Sequence, residues 1–356
     1  GMESERVVEE VRSTFRKLSP DKLEKNIGVF HQGYACKKNI SWEGTPLPEA
    51  SQRDEDSILM DGNTAMAMGI IDAGIKLYSG YPITPASSIM HVLAKIFPSY
   101  GGLLHQAEDE ISAIGAVVGS YFGGVPAITA TSGPGLSLKQ EFLGLATASE
   151  VPCIVINVQR GGPSTGLPTK TEQSDYFASA FGSHGDNTKV VLSVSDVEDC
   201  FFAPHVARYL TEVLRVPVII LSDYMTSVSY TVLEKFGLNL LEDDVRQIET
   251  SVLDRFHLEA LPQNIEMVKD NQAKPGELDA MRRVTGLNTD HDGKVVYTPE
   301  SVKRSNRIRN EKIHVVRRAL KSPEMFGDEV GDVLVVSWGS SRGVLEESVR
   351  LAREEG

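Results

Sequence analysis

Four short segments rich in glycine, proline and hydroxyl residues each follow directly on a short apolar run, and this placement constrains the chain more than any other feature. They are Tyr81-Pro82-Ile83-Thr84-Pro85, Glu108-Asp109-Glu110, Thr131-Ser132-Gly133-Pro134-Gly135 and the run from Gln159-Arg160-Gly161 to Thr169. Short apolar runs bounded by turn residues read as buried strands, so the four segments stand at strand carboxyl ends. Helical periods fill the gaps, and strands alternating with helices give a parallel sheet covered on both faces, with right-handed crossovers. Such a sheet binds its ligand at the carboxyl ends of its strands. The segments gather an acid at a helix start, an arginine, hydroxyls and glycines. That set suits an anionic substrate beside a cofactor that brings its own chemistry.

The pattern predicts strands at Lys76 to Ser79, Leu103 to His105, Val125 to Ala130, Cys153 to Val158, Val190 to Val194 and Val216 to Leu221. Helices are expected over Thr64 to Ala73, Ser87 to Phe97, Glu110 to Phe122, Leu138 to Ala148 and Val197 to Val213, making 57–235 the main domain. Residues 1–56, with a charged helix over Val7 to Leu18 and a polar stretch from Gly44 to Asp56, have too little apolar content for a core and read as an appendage. Residues 236–330 lack the alternation and read as a linker with one long helix, Pro299 to Leu320; a fresh strand, Val333 to Ser337, and a helix, Val344 to Glu354, then occupy 331–356. One strand and one helix cannot bury a core alone, so this segment is read as an edge on something larger or the front of a longer polypeptide.

With 49 acidic and 36 basic residues, the 356-residue chain has a formal net charge of −13, which disfavours nucleic acid and anionic membrane surfaces. The densest basic run, from Lys303 to Lys321, is interleaved with apolar residues at helical spacing and reads as a solvated helix face. No apolar stretch reaches the roughly 20 residues of a membrane span. Cys36, Cys153 and Cys200 are too scattered for a disulfide framework, a zinc motif or an iron-sulfur site. No signal peptide is recognised, Gly1 before Met2 reads as an expression scar, and a reducing cytoplasm is the expected location.

Each candidate residue has a plain alternative. Glu110 either opposes a helix macrodipole or is a buried carboxylate that hydrogen-bonds a cofactor ring nitrogen, its proton affinity raised by desolvation. Ser112, Ala113, Gly115, Ala116, Gly119 and Ser120 after it are small enough to admit a bulky neighbour. Arg160 either pairs with a surface acid or, in its glycine-rich loop, forks onto a substrate carboxylate, which is the favoured reading. The prolines around Ile83-Thr84 aim the Thr84 hydroxyl or simply shape a turn. Thr131 to Gly135 either binds an anion at a helix entrance or forms a close-packed turn. His184 is an acid/base group or a loop histidine. Asn288 to Gly293 opens like a calcium loop, but Pro299 stands at the twelfth position, where a bidentate glutamate belongs.

From about Asn63 to Ser222 these segments resemble, nearly letter for letter, the alpha subunit of the 2-oxoacid:ferredoxin oxidoreductases, in their 2-oxoglutarate branch. The resemblance implies a thiamin diphosphate-binding fold with 57–235 as its pyrimidine-binding domain. It makes Glu110 the acid that hydrogen-bonds the aminopyrimidine N1′ and promotes deprotonation of the thiazolium C2. Decarboxylation, transfer of two electrons to ferredoxin and acyl transfer to coenzyme A follow from that role. Tyr81, Pro82, Ile83, Ser132 and Gly133 are the further cofactor contacts expected. Thr84 and Arg160 map onto residues that hold the substrate carboxylate, with Thr169, Lys170 and His184 as further substrate candidates; Lys170 is the one considered for a distal carboxylate.

The family's magnesium-diphosphate signature, Gly-Asp-Gly followed by Asn, is absent from this sequence. The resemblance therefore implies a separate beta subunit carrying Mg²⁺ and a 4Fe-4S cluster, no metal on this chain, no activity without the partner, and a homo-oligomer of alpha-beta units. Residues 331–356 resemble the start of a second, transketolase-C-like α/β domain, and residues 1–40 the tail of a gamma domain. Thr285-Gly286-Leu287 also matches, whereas Asn288 and Thr289 depart from the family's pattern. A branched or aromatic 2-oxoacid with the same chemistry, and a non-catalytic scaffold with the same fold, remain as alternatives.

Overall fold

The seven-residue strands Cys153–Gln159 and Pro217–Asp223, buried at every position, require neighbours on both sides, and a six-stranded parallel sheet supplies them. The structure, a computed structural model, describes residues 4–39, 56–237, 244–266, 268, 274–278, 283–290 and 294–355. In chain order its elements are α1 (Ser4–Thr14), α2 (Pro20–Cys36), β1 (Ser57–Asp61), α3 (Gly62–Asp72), β2 (Leu77–Gly80), α4 (Ser87–Ile96), β3 (Leu103–Gln106), α5 (Glu110–Phe122), β4 (Ala127–Thr131), α6 (Gly133–Ser149), β5 (Cys153–Gln159), α7 (Tyr176–Phe181), β6 (Val190–Ser193), α8 (Val197–Leu214), β7 (Pro217–Asp223), α9 (Tyr224–Val228), β8 (Tyr230–Glu234), α10 (Thr250–Arg255), α11 (Pro299–Ala319) and α12 (Ser341–Glu355).

The sheet runs β3-β2-β4-β5-β7-β6, every pair parallel. The chain leaves β2 toward one edge to make β3, then crosses back over β2 to make β4. The reversal opens a crevice between the carboxyl ends of β2 and β4, where a sheet of this kind takes its ligand. Right-handed crossovers put α4 and α8 on one face and α5 and α6 on the other. Close backbone approaches seal both layers. A side chain at Gly69 would overlap the carbonyl of Phe201, so α3 lies directly on α8; Gly115 admits the Phe142 ring of α6 at 3.2 Å from where a Cβ would stand.

The predicted strands of the main domain all form. Their ends differ by a residue or two, within the uncertainty of boundary assignment. A two-stranded antiparallel ribbon of β1 with β8 was not anticipated, and neither were α2, α9 and α10. The linker contributes Val245, Leu253, Leu258, Leu261, Val315, Val316 and Ala319 to the core.

Two expectations are corrected. Val333 to Ser337 has strand composition but, among the described residues, no partner strand; Val333 to Val336 are exposed and form no ladder. A strand exists only through its neighbour's hydrogen bonds. The basic run along α11 is not solvated throughout either. Lys312 is 1% exposed and donates to Glu150 Oε1 at 3.1 Å, tying the helix to the main domain.

The chain divides into two compact units, residues 1–55 and 56–356. In the first, Arg12 of α1 pairs with Glu24 of α2 at 2.7 Å between exposed side chains, a contact of little energetic weight. Most of the polar stretch from Gly44, up to residue 55, and residues 291–293 of the calcium-like segment lie outside the described residues. Among the described residues no helix is long and apolar enough to cross a membrane.

Candidate functional site

All four segments stand at the carboxyl edge of the sheet: 81–85 after β2, 107–110 after β3, 131–135 at the end of β4, and 160–169 after β5. Of the three acids that open α5, only Glu110 is buried, at 7% exposure; Glu108 and Asp109 are exposed. Asp109 takes the helix-capping role. Its carboxylate accepts from Ser112 N at 2.7 Å, and the Ser112 hydroxyl reaches back to the Asp109 N–H. The Ser112 N–H, then its hydroxyl, hold the Asp109 carboxyl below its ordinary pKa. Satisfying the helix start therefore does not require Glu110, and no hydrogen bond among the described residues engages its carboxylate oxygens.

Gly135 brings α6 against this acid. A Cβ there would overlap the Thr131 hydroxyl and stand 2.7 Å from Glu110 Cγ and 2.9 Å from Oε1. Gly135→Ala is expected to cost about 1–3 kcal/mol through overpacking and to displace Glu110. Chemical denaturation measures it; unchanged stability would show that the turn relaxes freely.

Arg160 is 6% exposed and, among the described residues, pairs with no acid. Its Nη1 donates to the backbone carbonyl of Thr84 at 2.6 Å, joining the loops after β2 and β5 across the end of β4. Its buried Nε has no partner, and no hydrogen bond among the described residues uses Nη2. The Nε–Nη2 edge, which can bind a carboxylate bidentately, is thus unspent. The Thr84 side chain is exposed beside it, as are Tyr81 and Pro82, while Ile83 is half-buried.

The loop after Arg160 is held by its own backbone. Gly161 N donates to Lys170 O at 3.0 Å, Leu167 N to Gly161 O at 2.8 Å, and Gly162 N to Glu172 Oε2 at 2.9 Å. Gly166 has φ +49 and lies against the Gly161 carbonyl, where any side chain would overlap it. Thr169 and Lys170 are exposed at the loop's far end. Gln173 anchors that end, donating to Asp223 Oδ2 at 3.0 Å and to Trp338 O at 3.1 Å.

Asn157, Asp175 and Lys139 escaped the sequence reading, and Gln159 entered it only as the first residue of its segment. Asn157 and Gln159, both fully buried on β5, fix the next stretch of loop: Asn157 Nδ2 donates to Asp175 Oδ2 at 3.0 Å, and Asp175 N donates to Gln159 Oε1 at 3.1 Å. Asp175 in turn stands over Gly133, 2.7 Å from where a Cβ would lie, and burial raises its carboxyl pKa. Ser132 is fully buried, and its hydroxyl has no partner among the described residues. Two polar residues spaced by two in an otherwise apolar strand were the available signal, because they share one face. Lys139 of α6 is fully buried and donates to the Glu110 carbonyl at 2.7 Å. It falls with Leu136 and Leu143 on the buried face of α6, so helical periodicity marks it as a lysine in a core stripe.

The structure does not bring His184 to this cluster. It is exposed beside Gly144, eleven residues along α6 from Gly133 and hence about 16 Å away along the axis. There it lines a separate cleft of ≈ 390 Å³ with Asn187, Gly286, Leu287, Tyr297 and Arg309. Among the described residues no group of three or more His, Cys, Asp or Glu is placed to hold a metal ion.

Comparison with known proteins agrees with this geometry. Residues 68–285 match the family described as pyruvate flavodoxin/ferredoxin oxidoreductase, thiamine diphosphate-binding. The 2-oxoglutarate synthase subunit KorA of Methanothermobacter marburgensis is 48% identical over 168 residues, 47% of this chain and 45% of that protein. The subunit of the same name from Methanocaldococcus jannaschii is 34% identical over 83% of this chain and 79% of its own length. The 2-oxoglutarate oxidoreductase subunit KorA of Mycobacterium tuberculosis is 34% identical over 97% of this chain, which spans 53% of it. Among solved structures, the 2-oxoglutarate:ferredoxin oxidoreductase of Magnetococcus marinus, with 2-oxoglutarate, coenzyme A and succinyl-CoA bound, is similar at 37% identity and a TM-score of 0.79. That match covers 98% of this chain and 60% of that one. This chain thus spans about half the length of several curated relatives that it matches.

Proposed function

We propose that this chain, which belongs to the pyruvate flavodoxin/ferredoxin oxidoreductase family and carries its thiamine diphosphate-binding domain, is the alpha subunit of a 2-oxoacid:ferredoxin oxidoreductase acting on 2-oxoglutarate. The observation that carries the reading is Glu110: a buried carboxylate without a hydrogen-bond partner at the β2/β4 switch point. An aminopyrimidine offers such an acid a ring nitrogen to bond, and the lack of a side chain at Gly135 lets the start of α6 pack directly on the acid. The bound thiamin diphosphate supplies the electron sink that makes loss of carbon dioxide from a 2-oxoacid feasible.

The chain's own residues bind, orient and shield. Glu110 holds or releases the proton at the ring nitrogen. Tyr81, Pro82, Ile83, Ser132 and Gly133 line the ring's surroundings. Arg160 presents its Nε–Nη2 edge to the substrate carboxylate, the Thr84 hydroxyl adds a second donor, and Thr169 and Lys170 stand within the same loop for the distal end of the substrate. Because Arg160 is nearly dry, its contact is worth more than a surface pair, about 1.5–3 kcal/mol.

A beta subunit completes the cofactor site and holds Mg²⁺ and the 4Fe-4S cluster, and alpha-beta units assemble further. Coenzyme A and ferredoxin are the co-substrates, in the cytoplasm. Residues 57–235 form the pyrimidine-binding domain, 1–56 correspond to a gamma-domain tail, 236–330 to a linker, and 331–356 to the opening of a second domain.

Co-expression with a beta subunit tests the reading. The complex should retain thiamin diphosphate and reduce ferredoxin with 2-oxoglutarate and coenzyme A, in preference to branched or aromatic 2-oxoacids. A stable complex that retains no thiamin diphosphate would refute the reading, and turnover confined to an aromatic or branched 2-oxoacid would refute the substrate assignment.

A further inference from the structure

A lysine with no measurable exposure, inside a helix face that packs on a sheet, is an expensive choice. Lys139 fills space that a methionine would fill without charge, and its single hydrogen bond goes to the Glu110 carbonyl. That carbonyl lies in the first turn of α5, whose own i→i−4 pattern offers it the Ile114 N–H. The lysine is therefore not needed to satisfy the backbone. Its bond instead pulls the turn that carries Glu110 onto α6, beside the Gly135 approach that packs on the same acid.

The charged and titratable groups around the ammonium are Glu110 and Asp109 from the start of α5 and Cys153 from β5. Burial pushes the Lys139 pKa down to about 8, with Glu110 the largest opposing influence. At pH 7 the side chain is still predominantly a cation. Cys153 is pushed up to about 12 by burial and stays neutral. Of the two acids, only Glu110 is buried.

Resting on the thiamin reading above, we propose that Lys139 is a positioning residue that holds the turn carrying Glu110 against α6, so that the acid already stands in place when the aromatic cofactor arrives. A hydrogen bond from a buried ammonium to a carbonyl is charge-assisted and stronger than a neutral one, which suits it to fixing a turn.

The test compares wild type, K139M, E110Q and the K139M/E110Q double variant, each as the full chain in complex with its beta subunit. The readouts are thiamin diphosphate affinity, kcat and the KM for the 2-oxoacid. K139M should weaken thiamin diphosphate binding about tenfold and lower kcat while leaving the KM for the 2-oxoacid unchanged, because a displaced Glu110 alters the contact with the cofactor and not with the substrate. It should add no further loss on the E110Q background, because its effect runs through Glu110. The full chain alone supplies a second measurement. A folded pKa of about 8 against an unfolded value of about 10.4 means that the unfolded state binds more protons between those pH values. Wild-type stability should therefore rise with pH across that window, and K139M should lose that share of the slope while being no less stable at pH 7.

Unchanged affinity and kcat in K139M, or an equal loss with and without Glu110, would overturn the inference. K139Q, which keeps a donor for the Glu110 carbonyl, should recover part of the affinity and takes the place of K139M should that variant be unstable; a stable K139Q as impaired as K139M would also overturn the inference. An E110Q variant with undiminished affinity and turnover sinks the thiamin reading itself. An impaired E110Q beside a silent K139M sinks only this proposal.

Discussion

Glu110→Gln is expected to lower turnover of the alpha-beta complex by about 10²–10⁴-fold, the range for losing a positioned acid/base group, while assembly and folding persist. The substitution nearly conserves volume in a site where Gly135 leaves no slack. It also leaves the helix start intact, because Asp109 and Ser112 form the capping box. What it removes is the ability to hold and release a proton. A glutamine amide can still meet a ring nitrogen, so cofactor binding should suffer less than the chemistry. Steady-state kinetics of the complex with 2-oxoglutarate, beside a size measurement of the assembly, reads both effects. Unchanged turnover would favour the alternative in which this fold serves as a scaffold.

Arg160→Met is expected to raise the KM for the 2-oxoacid by about 10–100-fold, corresponding to loss of a charge-assisted bidentate contact of about 1.5–3 kcal/mol. The Arg160 guanidinium contacts a backbone carbonyl through Nη1 alone. Arg160→Lys keeps a charge but not the two-pronged edge, so it should recover only part of the loss. KM for coenzyme A should not move. If it rises in place of the KM for the 2-oxoacid, the arginine serves a different anion.

Periodicity made the main domain legible because its strands are short apolar runs bounded by Gly and Pro, and its helices start at recognisable caps such as Asp61, Asp109 and Asp196. The β1–β8 ribbon was hidden. It joins residues far apart in sequence, such as Leu59 and Val232, and only the folded main domain brings them together. Val333 to Val336 shows the reverse case: strand composition is a property of the segment, but strand formation belongs to a pair.

At the site, the sequence identified residues that sit on loops, and the structure added those that hold the loops from beneath. Glu110, Thr84 and Arg160 were visible because their segments are unusual in composition. Asn157 and Lys139 were not, because each lies inside an element whose buried face is otherwise largely apolar. His184, considered as an acid/base group and as a further substrate candidate, instead lies beside Gly144 of α6, away from the strand ends. Burial also removed the ambiguity among Glu108, Asp109 and Glu110, since one acid caps, one faces solvent and one faces inward.

The most direct measurement is an experimental structure of the alpha-beta complex with thiamin diphosphate bound. A Glu110 carboxylate oxygen should lie within about 2.6–3.2 Å of the aminopyrimidine N1′, with the Arg160 guanidinium facing the reacting end of the cofactor. A pyrimidine ring seated against another acid, or Glu110 turned toward bulk water with the cofactor elsewhere, would contradict the account.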